Sequence, residues 1–430
     1  MSVAVIPMAR DLGWSATDRG LVSSAFFWGY SATQIPAGWV STRLGGAKVL
    51  FAGVCLWSLG TLLAPPAAHV SLLALCASRV IVGLGEGLAP SSATNVLARI
   101  IPERERARAV TTVFGSLDVG SAVGLIVCGP LIKAFGWPSV FYLFALLGLG
   151  WCACWPLVRP EKREAKAGGA APALPVVAVE AGGTGRADEA SGPENAGGVM
   201  AGAGAVPWSK FLRCRAVWAI IAAHFCYNWG YYTLLAWLPS YFELSLGLNV
   251  ESSSLLTLIP YLAMTAMTPL VGPVADGLVA GGWSVTSVRK LCQGVSFAGP
   301  ALCMLACAVL TPLAQGGAGA AAGSAAAAAA GPATKAIVAL LSLAFALGAW
   351  ARAGLYCNHQ DLSPKYAGAL LGLSNTAGAL PGILGVTAVG FLLDKTSSWG
   401  ASLFYPTAAC QLIGLAVYTA FASSERKDWA

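Results

Sequence analysis

Apolar runs of about 20 residues follow one another along almost the whole chain, at roughly 20–41, 49–68, 72–100, 109–133, 137–158, 216–238, 254–275, 291–312, 336–357, 367–393 and 401–422. A helix of that length crosses the roughly 30 Å hydrocarbon core of a bilayer. Lipid offers no water to backbone N–H and C=O groups, so such runs fold as helices that satisfy these groups internally. Composition agrees: 57 % of the 430 residues are hydrophobic and 10 % charged, against about 25 % charged in soluble domains. A large soluble enzyme is excluded. The chain is expected to be an all-α polytopic membrane protein, with the lipid bilayer as its solvent.

The eleven runs are preceded by "MSVAVIPMA", which reaches only about 13 Å as a helix and cannot span. This stub is expected to be the remnant of a first helix, giving two six-helix halves with eleven complete spans. A polar, Ala/Gly/Pro-rich stretch beginning "RPEKREAKAGGAAPALP" separates the halves; it cannot bury a core and is expected to be a disordered linker. The domains are thus 1–158, an N-terminal bundle; 159–210, the linker; and 211–430, a C-terminal bundle. A second low-complexity piece, residues 314–335, reads as an unstructured insertion. Loops on the linker's side hold nineteen Lys and Arg, the opposite loops five, which puts the linker in the cytoplasm or its organellar equivalent. Both halves then enter the membrane in parallel, an arrangement that resembles the repeats of major-facilitator transporters.

The net charge of +7 does not point to nucleic acid, because the basic residues are scattered singly over loops without interleaved aromatics. The twelve cysteines form no CxxC pair and no zinc spacing. No nucleophile–base–orienter set or dinucleotide fingerprint emerges, so neither an enzyme nor a cofactor is expected.

Two charges stand inside an apolar run, "ASRVIVGLGEGLAP". Arg79 and Glu86, seven apart, share one helix stripe, about 10 Å apart along the axis. A charge at the bilayer centre costs about 2.5–3.5 kcal/mol on insertion scales, so such groups face a cavity or a partner. Arginine stays charged and offers five fixed donors, which suits a carboxylate or phosphate; a desolvated Glu86 could take up and release a coupling proton. The alternative is that each neutralises a partner on a neighbouring helix. Tyr227 and Asn228, in "HFCYNWGYY", would complete a midplane substrate site; His224 in the same run is equally a packing residue or a ligand. The glycines of "GLGEG", Gly120, Gly124 and the series Gly368, Gly372, Gly378, Gly382 and Gly385 read as sites of close helix packing. Arg43 and Lys48 after one span, and Asp276, Arg289 and Lys290 after the corresponding span of the second half, read as a charge latch that gates the linker side, or else as loop anchors.

Four segments carry a more specific likeness: "SSAFFWGYSATQIPAG" (23–38), "RVIVGLGEG" (79–87), "FGWPSVFY" (135–142) and "GLYCNHQDLSPKYAGALLGLSNTAG" (354–378). They resemble the anion:cation symporter family of the major facilitator superfamily, which includes vesicular glutamate transporters, sialin, sodium–phosphate transporters and plant plastid phosphate and ascorbate transporters. The last segment is most similar to the plastid branch. The resemblance implies that Arg79 contacts the substrate anion, that Glu86 couples protons, and that Asn358, His359 and Asp361 serve gating. It implies a monomeric secondary transporter of a small anion, inorganic phosphate first and ascorbate or another organic anion second, coupled to H⁺ or Na⁺ by alternating access in a plastid membrane. Vesicular members carry a histidine at Ser23 and an arginine at Tyr227, which argues against glutamate; the acidic residue of the first glycine loop is Thr42 here. A non-transporting sensor or an incomplete carrier is the alternative.

Overall fold

The computed structural model describes residues 1–100, 103–158, 207–320, 331–363, 366–427 and 429, and among them the secondary structure is entirely helical. The first half comprises α1 (Val5–Leu12), α2 (Ala16–Leu44), α3 (Gly46–Val70), α4 (Leu72–Gly87), α5 (Ala89–Ile100), α6 (Glu103–Phe135) and α7 (Pro138–Val158). The second comprises α8 (Trp208–Leu212), α9 (Arg215–Leu246), α10 (Val250–Ala280), α11 (Val285–Ala320), α12 (Pro332–Gly348), α13 (Leu355–Leu362), α14 (Ala367–Thr396) and α15 (Tyr405–Phe421). Eight helical stretches are long and apolar enough to cross a membrane. Helices α2, α6 and α9 are more polar, yet at 29, 33 and 32 residues they extend about 44–50 Å.

Local chemistry sets the ends. Ser15 and Asp18 form a capping box at the start of α2, and Gly45, at φ +89°, ends it. Ser71 caps α4 through the Ala74 N–H at 3.0 Å, and Asn249 caps α10 through that of Ser252 at 2.7 Å. Two expected runs are interrupted. The 72–100 run breaks at Leu88 between α4 and α5, and the 336–357 run passes through a 3₁₀ turn, Ala349–Arg352, between α12 and α13. Tight 3₁₀ turns inside a span commonly mark hinges.

The N-terminal stub folds as α1 and is buried: Val3, Ala4 and Met8 pack with Val22, Leu75, Ile132 and Trp137 in the core of the first half. Residues 159–206 of the expected linker and 321–330 of the second insertion lie outside the described residues. Helix α8 begins at Trp208, ahead of the expected boundary at 211, and places a fully buried Phe211 against Tyr366 and Trp429. Helix α11 continues to Ala320, into the stretch expected to be irregular.

Helix α4 is wedged between α2 and α3 at glycines. A side chain at Gly83 would strike the backbone of Phe26 and Tyr30, one at Gly87 would strike Thr33, and one at Gly85 would strike Gly53 and Trp57. Gly378, Gly382 and Gly385 likewise lie against His224, Phe27 and Trp229. The packing expectation does not hold for Gly120, Gly124 and Gly372, where an added methyl would meet nothing.

The halves meet through α2 along α14 and α6 along α10. Their polar contacts gather at the end away from the linker. Asp394 of α14 accepts from the N–H of Ala16 at 2.9 Å, the N–H of Thr17 at 2.7 Å and the hydroxyl of Thr17 at 2.5 Å. Arg10 pairs with the buried Glu243, Arg19 stacks on Trp237, and Thr387 donates to Ser24. Ser254 of α10 donates to the Leu125 carbonyl of α6. The molecule is clamped on that side.

Candidate functional site

The site is built on α4. Residues 75, 79, 82 and 86 form one stripe of a 3.6-residue helix, bounded by the α2-facing glycines 83 and 87 and the α3-facing Gly85. Leu75, at one end of the stripe, is fully buried against α1 and α6. The stripe therefore faces the interior of the first half and not lipid. Glu86, at its linker end, is exposed on the surface of the fold, and Arg79 is half-buried.

Arg79 lies between these two environments. Its guanidinium sits 5.9 Å from the centre of the Phe26 ring, and its Nε is buried without a hydrogen-bond partner. A cation over an aromatic face is held by the ring quadrupole while its N–H groups stay available in the ring plane. Among the described residues no ion pair engages Arg79 or Glu86. The two charges and the chain's amino terminus act on one another electrostatically without a direct contact.

Aromatic rings lead from Arg79 across the boundary between halves. Phe26 meets Phe27 edge-on at 5.2 Å, Phe27 of α2 meets Tyr232 of α9 at 4.6 Å, and Tyr232 continues to Tyr231 at 5.6 Å. Tyr231 stacks on Tyr227 at 6.4 Å, and Tyr227 meets Tyr356 of α13 at 6.3 Å. Tyr227 thus stands in the second half at the far end of a path from Arg79. Asn228 is buried; its amide N–H donates to the Gly378 carbonyl at 2.9 Å, tying α9 to α14, and its Oδ1 has no hydrogen-bond partner. His224 is a hydrogen-bonded packing residue, with Nδ1 3.0 Å from the Ser374 hydroxyl; His359 Nε2 lies 2.8 Å from the same hydroxyl.

At the linker end, Arg289 of α11 grips Asp361 of α13 through Nε at 2.7 Å and Nη2 at 3.4 Å, and donates to the Ala353 carbonyl at 3.1 Å. Two motifs read separately in the sequence therefore meet as one bidentate pair beside the 3₁₀ turn. Asn358 is fully buried, donating to the Tyr418 hydroxyl at 2.9 Å and accepting from Ser424 at 3.0 Å. Arg43, Lys48 and Asp276 are exposed, and Lys290 is half-buried beside Arg289; among the described residues Lys48, Asp276 and Lys290 make no ion pair with Arg289 or Asp361.

The sequence profile of the Major Facilitator Superfamily matches residues 1–386. The chain belongs to that superfamily. It is 43 % identical to "Probable anion transporter 6, chloroplastic" of Arabidopsis thaliana, over 99 % of this chain and 75 % of that protein. It is 37 % identical to the "Ascorbate transporter, chloroplastic" (99 % and 72 %) and 36 % to the "Sodium-dependent phosphate transport protein 1, chloroplastic" (99 % and 76 %) of the same plant. Among solved structures, a bacterial homologue of the human lysosomal transporter Spinster, inward-facing and occupied, aligns at TM-score 0.68 with 14 % identity over 100 % of this chain and 95 % of that one. The D-xylose–proton symporter aligns at 0.66 with 16 % identity, over 98 % and 94 %. At such identities the likeness is one of fold.

For a superfamily member, the clamp residues Arg10, Arg19, Glu243 and Asp394 are what sequence reasoning missed. Each sits at the end of an apolar run, where a charge looks like an ordinary loop residue. The available signal was Asp18 and its capping serine, which mark the start of α2 and hence the N–H groups that Asp394 reaches.

Proposed function

We propose that the protein is a secondary active carrier of a small anion, working as a monomer in a plastid membrane by alternating access between its two halves. Arg79 contacts the anion from the first half and Tyr227 from the second; Glu86 is the coupling group, with H⁺ or Na⁺ as the driving ion. The observation that carries this reading is Arg79 itself: a permanently charged side chain on an interior stripe, stacked on Phe26 and held by no carboxylate among the described residues. A cation inside a membrane protein that no carboxylate contacts directly is a candidate site for an anion. The names of the relatives supply the candidates, inorganic phosphate and ascorbate. The Arg289–Asp361 pair, with Asn358 and His359, gates the linker side, while Asn228 supports the site by holding α9 on α14.

The test is uptake into proteoliposomes. Arg79→Ala abolishes uptake of labelled phosphate and ascorbate while the purified variant keeps the wild-type melting temperature within a few degrees. Uptake by that variant with unchanged apparent affinity contradicts the assignment of Arg79. A wild-type protein that moves no anion under any gradient favours the non-transporting alternative.

A further inference from the structure

Beside Tyr227, inside the second half, lies a cavity of about 40 Å³. Tyr227 and Tyr231 of α9 form one wall; Ser296 of α11, Gln411 of α15 and the apolar side chains of Met264 and Phe345 form the rest. None of its lining side chains is charged. At about 10–15 Å³ for each water-sized group, the space holds roughly three such groups, the size of a vicinal diol and less than a whole organic acid.

The polar chemistry around this space is incomplete. Gln411 is 6 % exposed, and its Oε1 has no hydrogen-bond partner. One turn earlier on α15, the hydroxyl of the fully buried Thr407 is also without a partner. Both side chains press on Gly230 of α9, where an added methyl would come within 2.8 Å of the Gln411 amide and 3.3 Å of the Thr407 methyl. Gly230 also lines the cavity. Buried polar groups in native proteins are almost always paired, and an orphan carries its full desolvation cost. Thr407 does not line the cavity; Gln411 does, and an orphan amide oxygen on the wall of a small cavity suits a guest that can pair with it.

We infer that this cavity is a second-half subsite for the hydroxylated end of an organic anion, whose charged end is held at Arg79. The inference rests on the carrier reading above and deepens it by naming the substrate class. A primary amide both donates and accepts, and so does an alcohol; the two pair in either orientation of the amide. An ionised oxygen only accepts and needs cations around it, which this lining lacks. The stacked tyrosine faces cover the C–H surface of the same group. Inorganic phosphate, with no hydroxylated carbon end, uses Arg79 but not this subsite. Sites built to hydrogen-bond a hydroxyl discriminate more steeply than apolar ones, because an analogue without the hydroxyl leaves buried groups unpaired.

The experiment compares uptake of ascorbate, an organic anion ending in a vicinal diol, with uptake of inorganic phosphate by the full chain in proteoliposomes. Gln411→Met keeps the volume and removes the amide; it raises the apparent KM for ascorbate tenfold or more and leaves that for phosphate within twofold. Gln411→Leu, which removes the amide with a different side-chain shape, shifts ascorbate in the same direction and decides the matter if Gln411→Met does not fold. Equal shifts for both anions, no shift for either, or a wild-type protein that takes up phosphate but not ascorbate overturns the subsite while leaving the carrier intact. A wild-type protein that takes up neither anion overturns the carrier reading and the subsite together.

Discussion

Two arginines in this chain have opposite surroundings, and the contrast underlies the different roles proposed for them. Arg289 is fully engaged, with a bidentate carboxylate and a backbone carbonyl, so its charge is spent within the protein. Arg79 has an aromatic ring and an unpaired Nε. Glu86, on the same stripe, meets no cation in an ion pair among the described residues and is exposed on the surface of the fold. An exposed carboxyl that no arginine locks is free to exchange a proton with each transport cycle. Glu86→Gln, which keeps shape and removes the titration, is expected to retain downhill anion exchange and lose accumulation driven by a pH gradient. Accumulation at the wild-type level in that variant would assign coupling to another group. Arg79 and Glu86 were legible in the sequence because a charge inside an apolar run is conspicuous and costly. Asn228 was legible as polar and intramembrane, but not as a donor to Gly378, because its partner lies 150 residues away and is a backbone carbonyl.

At the scale of elements, the first turn of α2 and the last turns of α14 form the clamp between halves. The N–H groups at a helix start have no intrahelical acceptor. Ser15 and Asp18 satisfy part of that need locally, and Asp394 supplies the rest from a residue 377 positions along the chain. An N-terminal cap is worth about 1 kcal/mol, equivalent to a roughly fivefold change in a local opening equilibrium. Asp394→Ala is therefore expected to raise hydrogen exchange about fivefold in residues 16–24 and in the facing 386–394, with the Arg289–Asp361 end unchanged. Exchange that stays at the wild-type rate would show that the clamp does not depend on Asp394. Helix existence and approximate span were legible from apolar periodicity throughout. The 3₁₀ turn at Ala349–Arg352 was not, since it occurs inside an apolar run with no proline to announce it; the break at Leu88 had a signal in Pro90, two residues on, which the continuous apolar run masked.

At the scale of the whole molecule, loop charge and one polar stretch were enough to orient two parallel halves, because positive loops stay on one side of the membrane. Which end of the assembly is closed was not legible. Both ends carry charges at helix junctions, and only the structure shows Arg10, Arg19, Glu243 and Asp394 joining the halves while Arg289 and Asp361 join α11 to α13 within one half. Contacts that join the halves on the side away from the linker are what the carrier reading proposed above requires of the inward-open state of an alternating cycle. A carrier in such a cycle moves its site empty or loaded across the barrier, so labelled anion outside exchanges against unlabelled anion inside. The decisive measurement is counterflow in proteoliposomes preloaded with unlabelled anion, with no ion gradient applied. The wild-type protein is predicted to give a transient overshoot of labelled phosphate or ascorbate that Arg79→Ala lacks; equal overshoots in both, or monotonic equilibration in the wild type, would contradict a carrier with its anion site at Arg79.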